Sequence, residues 1–487
     1  MTVIMGTRWG EITAEEIASS INGRIISGDR RTVFYGLSSD SRKIKEGEIF
    51  IALRGDRFDG HDFIPEVIKK GATGVIMEQG VALGFPVGKT PCIIGVRDCL
   101  TALGDFARHW RRQHKVLVAV ITGSAGKSSV KEMAASILGR EAKTLKNQGN
   151  LNNLIGMPLT ILRMEDDDRM AVLEMGMNRP GEIARLTEIA DPDIGLINNV
   201  AKAHLEGVGD IMGVAKAKTE LIEKISPESK IALNGDDKFL MKAASRYSRE
   251  MITFGLSDGN DIRAGNIRSL GKDGMSFDLL YRMDSVPVKI RVPGLQNVAN
   301  SLAASAIGIF MNMSLDQIAR GLEEFEGIEG RLKVIHLDDD IILIDDTYNS
   351  NPLSVNAAID SVAEIASGRR VIIGLGEMLE LGDESVNAHF EAGEKVAELG
   401  GSHLFAIGEH AADIIKGAVK NGFSPEKSVI VESWVEMARR IEDILEKGDL
   451  ILLKGSRRIG LERVSNRLEK MRSKENCYDQ DKKNHGG

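Results

Sequence analysis

The sequence predicts an α/β protein of three domains, on three observations. Strand-length segments rich in apolar residues recur along the chain, among them residues 116–121, 194–200 and 450–453. Helix-length segments separate them, which is the βαβ pattern of a mostly parallel sheet. The 487 residues leave room for about three cores at roughly 150 residues each.

The first domain, expected over residues 1–112, reads as a small α/β unit. It has a strand at 48–53, a helix at 62–70, a Gly-Ala-Thr-Gly turn, a strand at 75–77 and a closing helix from 99 to 113. The central domain, expected over 113–329, opens on the apolar run 116–121, which reads as a buried parallel strand. Strands follow at 170–175, 194–200 and 230–234. Residues 262–292 form a strand-rich insertion, and helices at 297–311 and 314–325 close the domain. Gly327 and Gly330 flank the joint to the third domain, 330–472. There, strands at 341–345, 370–375, 403–407, 428–431 and 450–453 alternate with helices, the pattern of a Rossmann-like, doubly wound unit. The polar stretch 473–487 is expected to be a disordered tail.

The net charge of -8, from 63 basic and 71 acidic residues, argues against a general nucleic-acid binder. Three cysteines without metal-ligand spacing argue against a disulfide framework or a zinc site. The start of the chain lacks a signal-peptide pattern, and the apolar runs are too short to cross a bilayer. A cytoplasmic protein without membrane insertion is expected.

The sharpest chemical signal is Thr122-Gly123-Ser124-Ala125-Gly126-Lys127-Ser128-Ser129, placed after a buried strand and opening a helix. Glycines let backbone N–H groups curl around phosphate oxygens, and the helix N-terminus adds its positive dipole end. Lys127 suits the β- and γ-phosphates, and the Ser128 hydroxyl suits Mg²⁺. Ile121 stands where a general P-loop has its first glycine, so the spacing is the shorter GxxGK[ST]. A nucleotide site alone would serve a hydrolase, a kinase, a motor or a ligase.

Further motifs follow in order: Gly149 to Pro158, Glu174-Met175-Gly176, Asn198-Asn199-Val200, Ala203-His204-Leu205-Glu206-Gly207 and Ala215-Lys216-Ala217-Lys218. Then come Pro293 to Asn300, Gly330-Arg331, Asp345 to Pro352, Gly376 to Gly382 and Leu453-Lys454-Gly455-Ser456-Arg457. In this order and spacing the chain resembles the Mur ligases, from Ser39 to about Glu462. The segments Asp345 to Pro352, Ala203 to Gly207 and Gly376 to Gly382 resemble the branch that adds D-alanyl-D-alanine. Asp40-Ser41-Arg42 and Gly55 to Asp62 resemble its uridine-diphosphate domain.

The resemblance implies a ligase using ATP and Mg²⁺. It would join D-alanyl-D-alanine to UDP-N-acetylmuramoyl-tripeptide through an acyl phosphate, as a monomer, in peptidoglycan precursor synthesis. Lys127, Glu174, His204, Lys218 and Arg331 would be catalytic. The nucleotide would contact Gly123, Ser124, Ala125, Gly126, Lys127, Ser128 and Ser129, with Asn297, Arg331 and Asp346. Ser128, Glu174 and His204 would hold metal, with Lys218 joining them as a carbamate. Lys216 is the competing lysine, one helical step away. Substrate contacts would come from Ser39, Ser41, Arg42, Asn150, Asn152, Asn153, Tyr348, Asn349 and Ser456, with Arg457 beside the dipeptide.

Several positions depart from the family pattern. Ser128-Ser129 replace two threonines, Gln296 replaces a frequent histidine, and Met177 and Arg179 stand where Ala and His are common. The rival readings are a diaminopimelate-, lysine- or glutamate-adding ligase and an ATPase that forms no bond. The acceptor signature Asp-Asn-Pro-Arg of the diaminopimelate type is absent from the chain.

Overall fold

The computed structural model describes residues 9–55, 58–81, 91–201 and 205–470. Their packing divides the chain into two units. One comprises residues 1–121, 141–195 and 220–230; the other comprises 122–140, 196–219 and 231–487.

In the first unit, strands β1 (Arg24–Ser27), β2 (Gly36–Ser38), β3 (Glu48–Ile51), β4 (Gly74–Glu78) and β5 (Cys92–Val96) form one sheet in the order β1-β5-β4-β3-β2. Only β1 runs antiparallel in it. Phe50, Val75, Met77 and Ile93 pack with Ile64 and Val67 beneath it. Helix α1 (Cys99–Gln113) spans the residues its periodicity predicts; Asp98 caps it through the Thr101 N–H. Then come β6 (Leu117–Thr122), β7 (Thr144–Lys146) and β8 (Met170–Glu174), with β8 parallel to both. The register sets Glu174 opposite Ile121, so the acid ends its strand level with the last apolar residue of β6.

The second unit holds helix α2 (Lys127–Gly139), which opens straight from the glycine loop. Strand β9 (Ile194–Ile197) stops short of the expected Val200, because Asn198 and Asn199 turn their carboxamides onto that loop. Helix α3 (Ile211–Lys224) follows. Strands β10 (Lys230–Asn234) and β11 (Ile252–Gly255) are parallel and continue into the insertion: β12 (Ile262–Ser269), β13 (Met275–Tyr281) and β14 (Asp284–Ile290), an antiparallel meander. Helix α4 (Leu295–Phe310) is largely buried.

The last sheet runs in the order β15-β16-β20-β17-β18-β19. Its strands are β15 (Lys333–His336), β16 (Ile342–Asp346), β17 (Val371–Gly376), β18 (His403–Ile407), β19 (Ser428–Ile430) and β20 (Leu450–Lys454), and only β15 is antiparallel in it. Helix α5 (Pro352–Ala366) follows β16, and α6 (Ser385–Leu399) follows β17. The central strands are apolar through most of their length because both faces are covered. Ile342, Ile344, Leu450 and Leu452 enter one core, while Leu343, Ile451 and Leu453 enter the other. Both β16 and β20 end one residue later than expected, and those last residues, Asp346 and Lys454, pair across the ladder. Among the described residues no helix is long and apolar enough to cross a membrane.

Candidate active site

The glycine loop between β6 and α2 is held by amides. Asn199 Oδ1 accepts from the N–H groups of Ser124 (3.0 Å) and Ala125 (2.8 Å), and its Nδ2 donates to the Ala125 carbonyl at 3.0 Å. Asn198 Nδ2 donates to the same carbonyl at 2.9 Å and to Asn300 Oδ1 at 3.1 Å. Ser124 Oγ bonds the backbone of Ala201 in both directions. Gly126 has φ +76° and caps α2, and a Cβ there would lie 2.3 Å from Asn300 Oδ1. Only glycine meets both demands. Lys127 Nζ donates to the Gly123 carbonyl at 2.8 Å. Ser128 and Ser129 lie in the first turn of α2.

A pocket opens beside this loop. Ala125, Gly126 and Ser129 line it, with Asn297 from α4 and Arg331 and Asp346 beside or within the last sheet. Asn297 turns its Nδ2 onto the Pro293 carbonyl (2.7 Å) and its Oδ1 toward Asn300 Nδ2 (3.3 Å). Gln296, where the family pattern often has histidine, donates to Ser361 Oγ on α5 at 2.9 Å. Asn351 caps α5 and reaches the Ser124 carbonyl at 3.5 Å.

Lys218 and Lys216 occupy opposite situations on α3. Lys218 is 2% exposed, whereas Lys216 faces solvent. Burial, reinforced by the nearby Lys127 charge, drives the Lys218 ammonium well below its usual pKa. His204 lies outside the described residues, as do Asp56 and Arg57 of the uridine-domain motif and the expected tail.

Three loops gather at the C-terminal edge of the last sheet, after the neighbouring parallel strands β16, β20 and β17. That edge is where ligands bind in open α/β sheets. After β16 come Tyr348, half-buried, and Asn349, exposed. The guanidinium of Arg331 sits 4.4 Å from the centroid of the Tyr348 ring, and that of Arg457 sits 5.3 Å from it. After β20, Ser456 is buried; its Oγ accepts from the Leu379 N–H at 3.2 Å and its N–H donates to the Glu377 carbonyl at 3.1 Å. Ser456 is thereby joined to the Gly376–Gly382 loop after β17. That loop is anchored in turn by buried His389, whose Nε2 accepts from the Met378 N–H at 2.8 Å.

In the first unit, Glu174 is buried and its Oε1 accepts from Asn152 Nδ2 at 2.8 Å. Asn147, fully buried, clasps the Glu174 backbone from both sides (2.9 and 3.0 Å). Asn153 Oδ1 accepts from the N–H groups of Ile155 and Gly156, so its oxygen fixes its own loop, and Asn150 is exposed. In the turn after β2, Arg42 forms a two-pronged pair with Asp40, both bonds 2.8 Å, which holds the Asp40 carboxyl below its usual range. Ser39 and Ser41 lie half-buried beside it.

Asn198, Asn199, Asn300 and Lys454 stand inside the sequence motifs, yet local pattern assigns them no task. Asn147 stands outside every motif. Its only signal is an asparagine just ahead of the Gly149–Pro158 segment.

Comparison with known proteins bears on the whole chain. The family model "Mur ligase family, catalytic domain" matches residues 33–111, "Mur ligase middle domain" matches 121–308, and "Mur ligase, glutamate ligase domain" matches 330–457. The UDP-N-acetylmuramoyl-tripeptide–D-alanyl-D-alanine ligase of Escherichia coli is 35% identical over 463 residues, covering 94% of this chain and 98% of that protein. Its Bacillus subtilis counterpart is 32% identical, covering 93% and 97%. A crystal structure of MurF from Acinetobacter baumannii superposes with a TM-score of 0.86 at 32% identity, covering 95% of this chain and 100% of that one. MurF from Thermotoga maritima in complex with ADP gives 0.79 at 27% identity, covering 90% and 98%.

Proposed function

Since the chain belongs to the Mur ligase family, we infer that it joins D-alanyl-D-alanine to UDP-N-acetylmuramoyl-tripeptide with hydrolysis of ATP, a step of peptidoglycan precursor synthesis. The observation that carries the mechanism is the pocket where the glycine loop meets Asn297, Arg331 and Asp346. The acceptor is supported by relatives of that activity matching over nearly the full length of both chains.

The terminal carboxylate of the tripeptide attacks the γ-phosphorus, ADP departs, and an acyl phosphate remains. The dipeptide amine then attacks the acyl carbon, loses a proton, and phosphate leaves the tetrahedral intermediate. The first step brings two anions together, so the protein must position them and neutralise charge. Lys127 and the loop N–H groups that Asn199 does not hold bind the β- and γ-phosphates, while Arg331 stabilises charge on the phosphoryl in transfer. Asn297 takes the adenine side and Asp346 the ribose. Ser456 and Arg457, with Tyr348 and Asn349, meet the dipeptide. Ser39, Ser41, Arg42, Asn150, Asn152 and Asn153 serve the UDP-tripeptide.

By the family resemblance Ser128, Glu174 and His204 would hold Mg²⁺, which favours hard oxygen ligands. Ser128 offers a hydroxyl and Glu174 a buried carboxylate oriented by Asn152. When bound, the ion would neutralise phosphate charge. An amine is a poor partner for it, but the depressed pKa of Lys218 favours the free amine that adds to carbon dioxide. The product is a carbamate, an anionic oxygen donor, with one proton released. We place the functional domains at 1–112, 113–329 and 330–472 and the reaction in the cytoplasm, carried out by a monomer.

The test is phosphate release from ATP and Mg²⁺ with UDP-tripeptide and D-alanyl-D-alanine added singly and together. Release only with both, plus a UDP-pentapeptide mass, is expected. Release without either substrate would replace the ligase with a hydrolase.

A further inference from the structure

Lys454 has no role in the reaction as derived, yet it is one of the most buried charged side chains in the molecule, at 1% exposure. It ends β20, where the register sets it opposite Asp346 on β16. Its Nζ donates to Asp346 Oδ2 at 2.6 Å and to the Asn349 carbonyl at 3.0 Å. The other carboxylate oxygen, Asp346 Oδ1, accepts from the Leu332 N–H at 3.2 Å. Leu332 directly follows Arg331, and Arg331, Leu332 and Asp346 all line the nucleotide pocket. One ammonium therefore ties together three segments of the pocket wall: 331–332, 346–349 and the end of β20.

A buried ion pair is weak as a device for stability alone, because desolvating both charges offsets much of their attraction. Its value here is directional. An unpaired Asp346 carboxylate would turn toward water and release the Leu332 N–H, and with it the backbone that carries Arg331. Burial lowers the pKa of the Lys454 ammonium, and the Asp346 charge works against that shift.

We propose that Lys454 is a positioning residue for the nucleotide, fixing Asp346 and the Thr347–Asn349 loop on the pocket wall. The proposal rests on the reading of this pocket as the ATP site. The experiment compares the full chain with K454M, D346N and the double variant K454M/D346N. It measures ADP affinity by titration calorimetry, and KM for ATP against kcat by phosphate release. K454M is expected to weaken ADP about tenfold and to raise KM for ATP by a similar factor, with KM for UDP-tripeptide within about twofold of the parent. The double variant is expected to bind ADP within about twofold of D346N, because Lys454 acts through Asp346. ADP affinity of K454M within about twofold of the parent would overturn the proposal, even if the variant melts earlier. So would a double variant in which the two losses multiply. Should K454M fail to fold, the double variant set against D346N decides the matter, since the double variant leaves neither charge buried alone. A parent chain that does not bind ADP would sink the nucleotide reading itself, and this proposal with it.

Discussion

The two walls of the nucleotide pocket are held in different ways. The glycine-loop wall is held by neutral carboxamides: Asn198, Asn199 and Asn300 meet the loop and one another with no formal charge. The wall from the last sheet is held by charge, through Lys454 on Asp346 and two guanidiniums near Tyr348. Under the proposed assignment, the difference follows from what each wall receives. A loop that must admit phosphates cannot carry a fixed anion beside its N–H groups, whereas a wall that meets a ribose can.

The sharpest test of the loop wall is its lysine. Lys127→Ala is expected to cut turnover by about 10³-fold, read as phosphate release with both substrates. Near-parent turnover would remove the loop from the chemistry. The neutrality of the clamp is tested next, by paired variants. Asn199→Ala leaves the Ala125 N–H without its acceptor, while the Ser124 N–H keeps the Asn199 carbonyl, and is expected to weaken ADP about tenfold. Asn199→Asp keeps an acceptor but adds an anion, and is expected to weaken ADP about a hundredfold. Equal losses in calorimetry would mean that charge is irrelevant there, and the contrast between the walls would fail.

Lys218 extends the contrast to pH. Its pKa is depressed in the folded protein, so between the folded value and the usual lysine value the unfolded chain binds more protons. Stability therefore rises with pH across that window, by up to about 1.4 kcal/mol per pH unit for one proton, and is lost as pH falls toward the folded value. Urea unfolding in carbon dioxide-free buffer at several pH values should show this slope in the parent and a flatter one in Lys218→Met. Identical slopes would mean that Lys218 is not the neutral buried group. The smallest effect is expected at Gln296→Ala, which loses one hydrogen bond to Ser361. About 1 kcal/mol, or a few-fold rise in KM for ATP, is the expected scale.

Much of the fold was legible because its signals are local. The 116–121 run, the glycine loop and the helix after it could be read residue by residue, since strand, turn and helix preferences act over a few neighbours. The same holds for the central strands of the last sheet, whose apolar runs announce burial on both faces. The chemistry of Gly126 and Lys127 was readable for the same reason.

What local pattern could not supply was the partner. Asn198 and Asn199 extend an apolar run and read as strand until the loop about 75 residues earlier is folded against them. Lys216 and Lys218 are interchangeable in an Ala-Lys-Ala-Lys sequence, and only packing buries one and exposes the other. The pairing of Lys454 with Asp346, 108 residues apart, depends on two strands becoming neighbours in one register, and slipping that register by one residue would undo it. Local preference was enough to settle which elements form and where an anion can bind. Which polar side chains support that site waited on the folded chain, because the state of a buried charge or carboxamide is set by what stands opposite it.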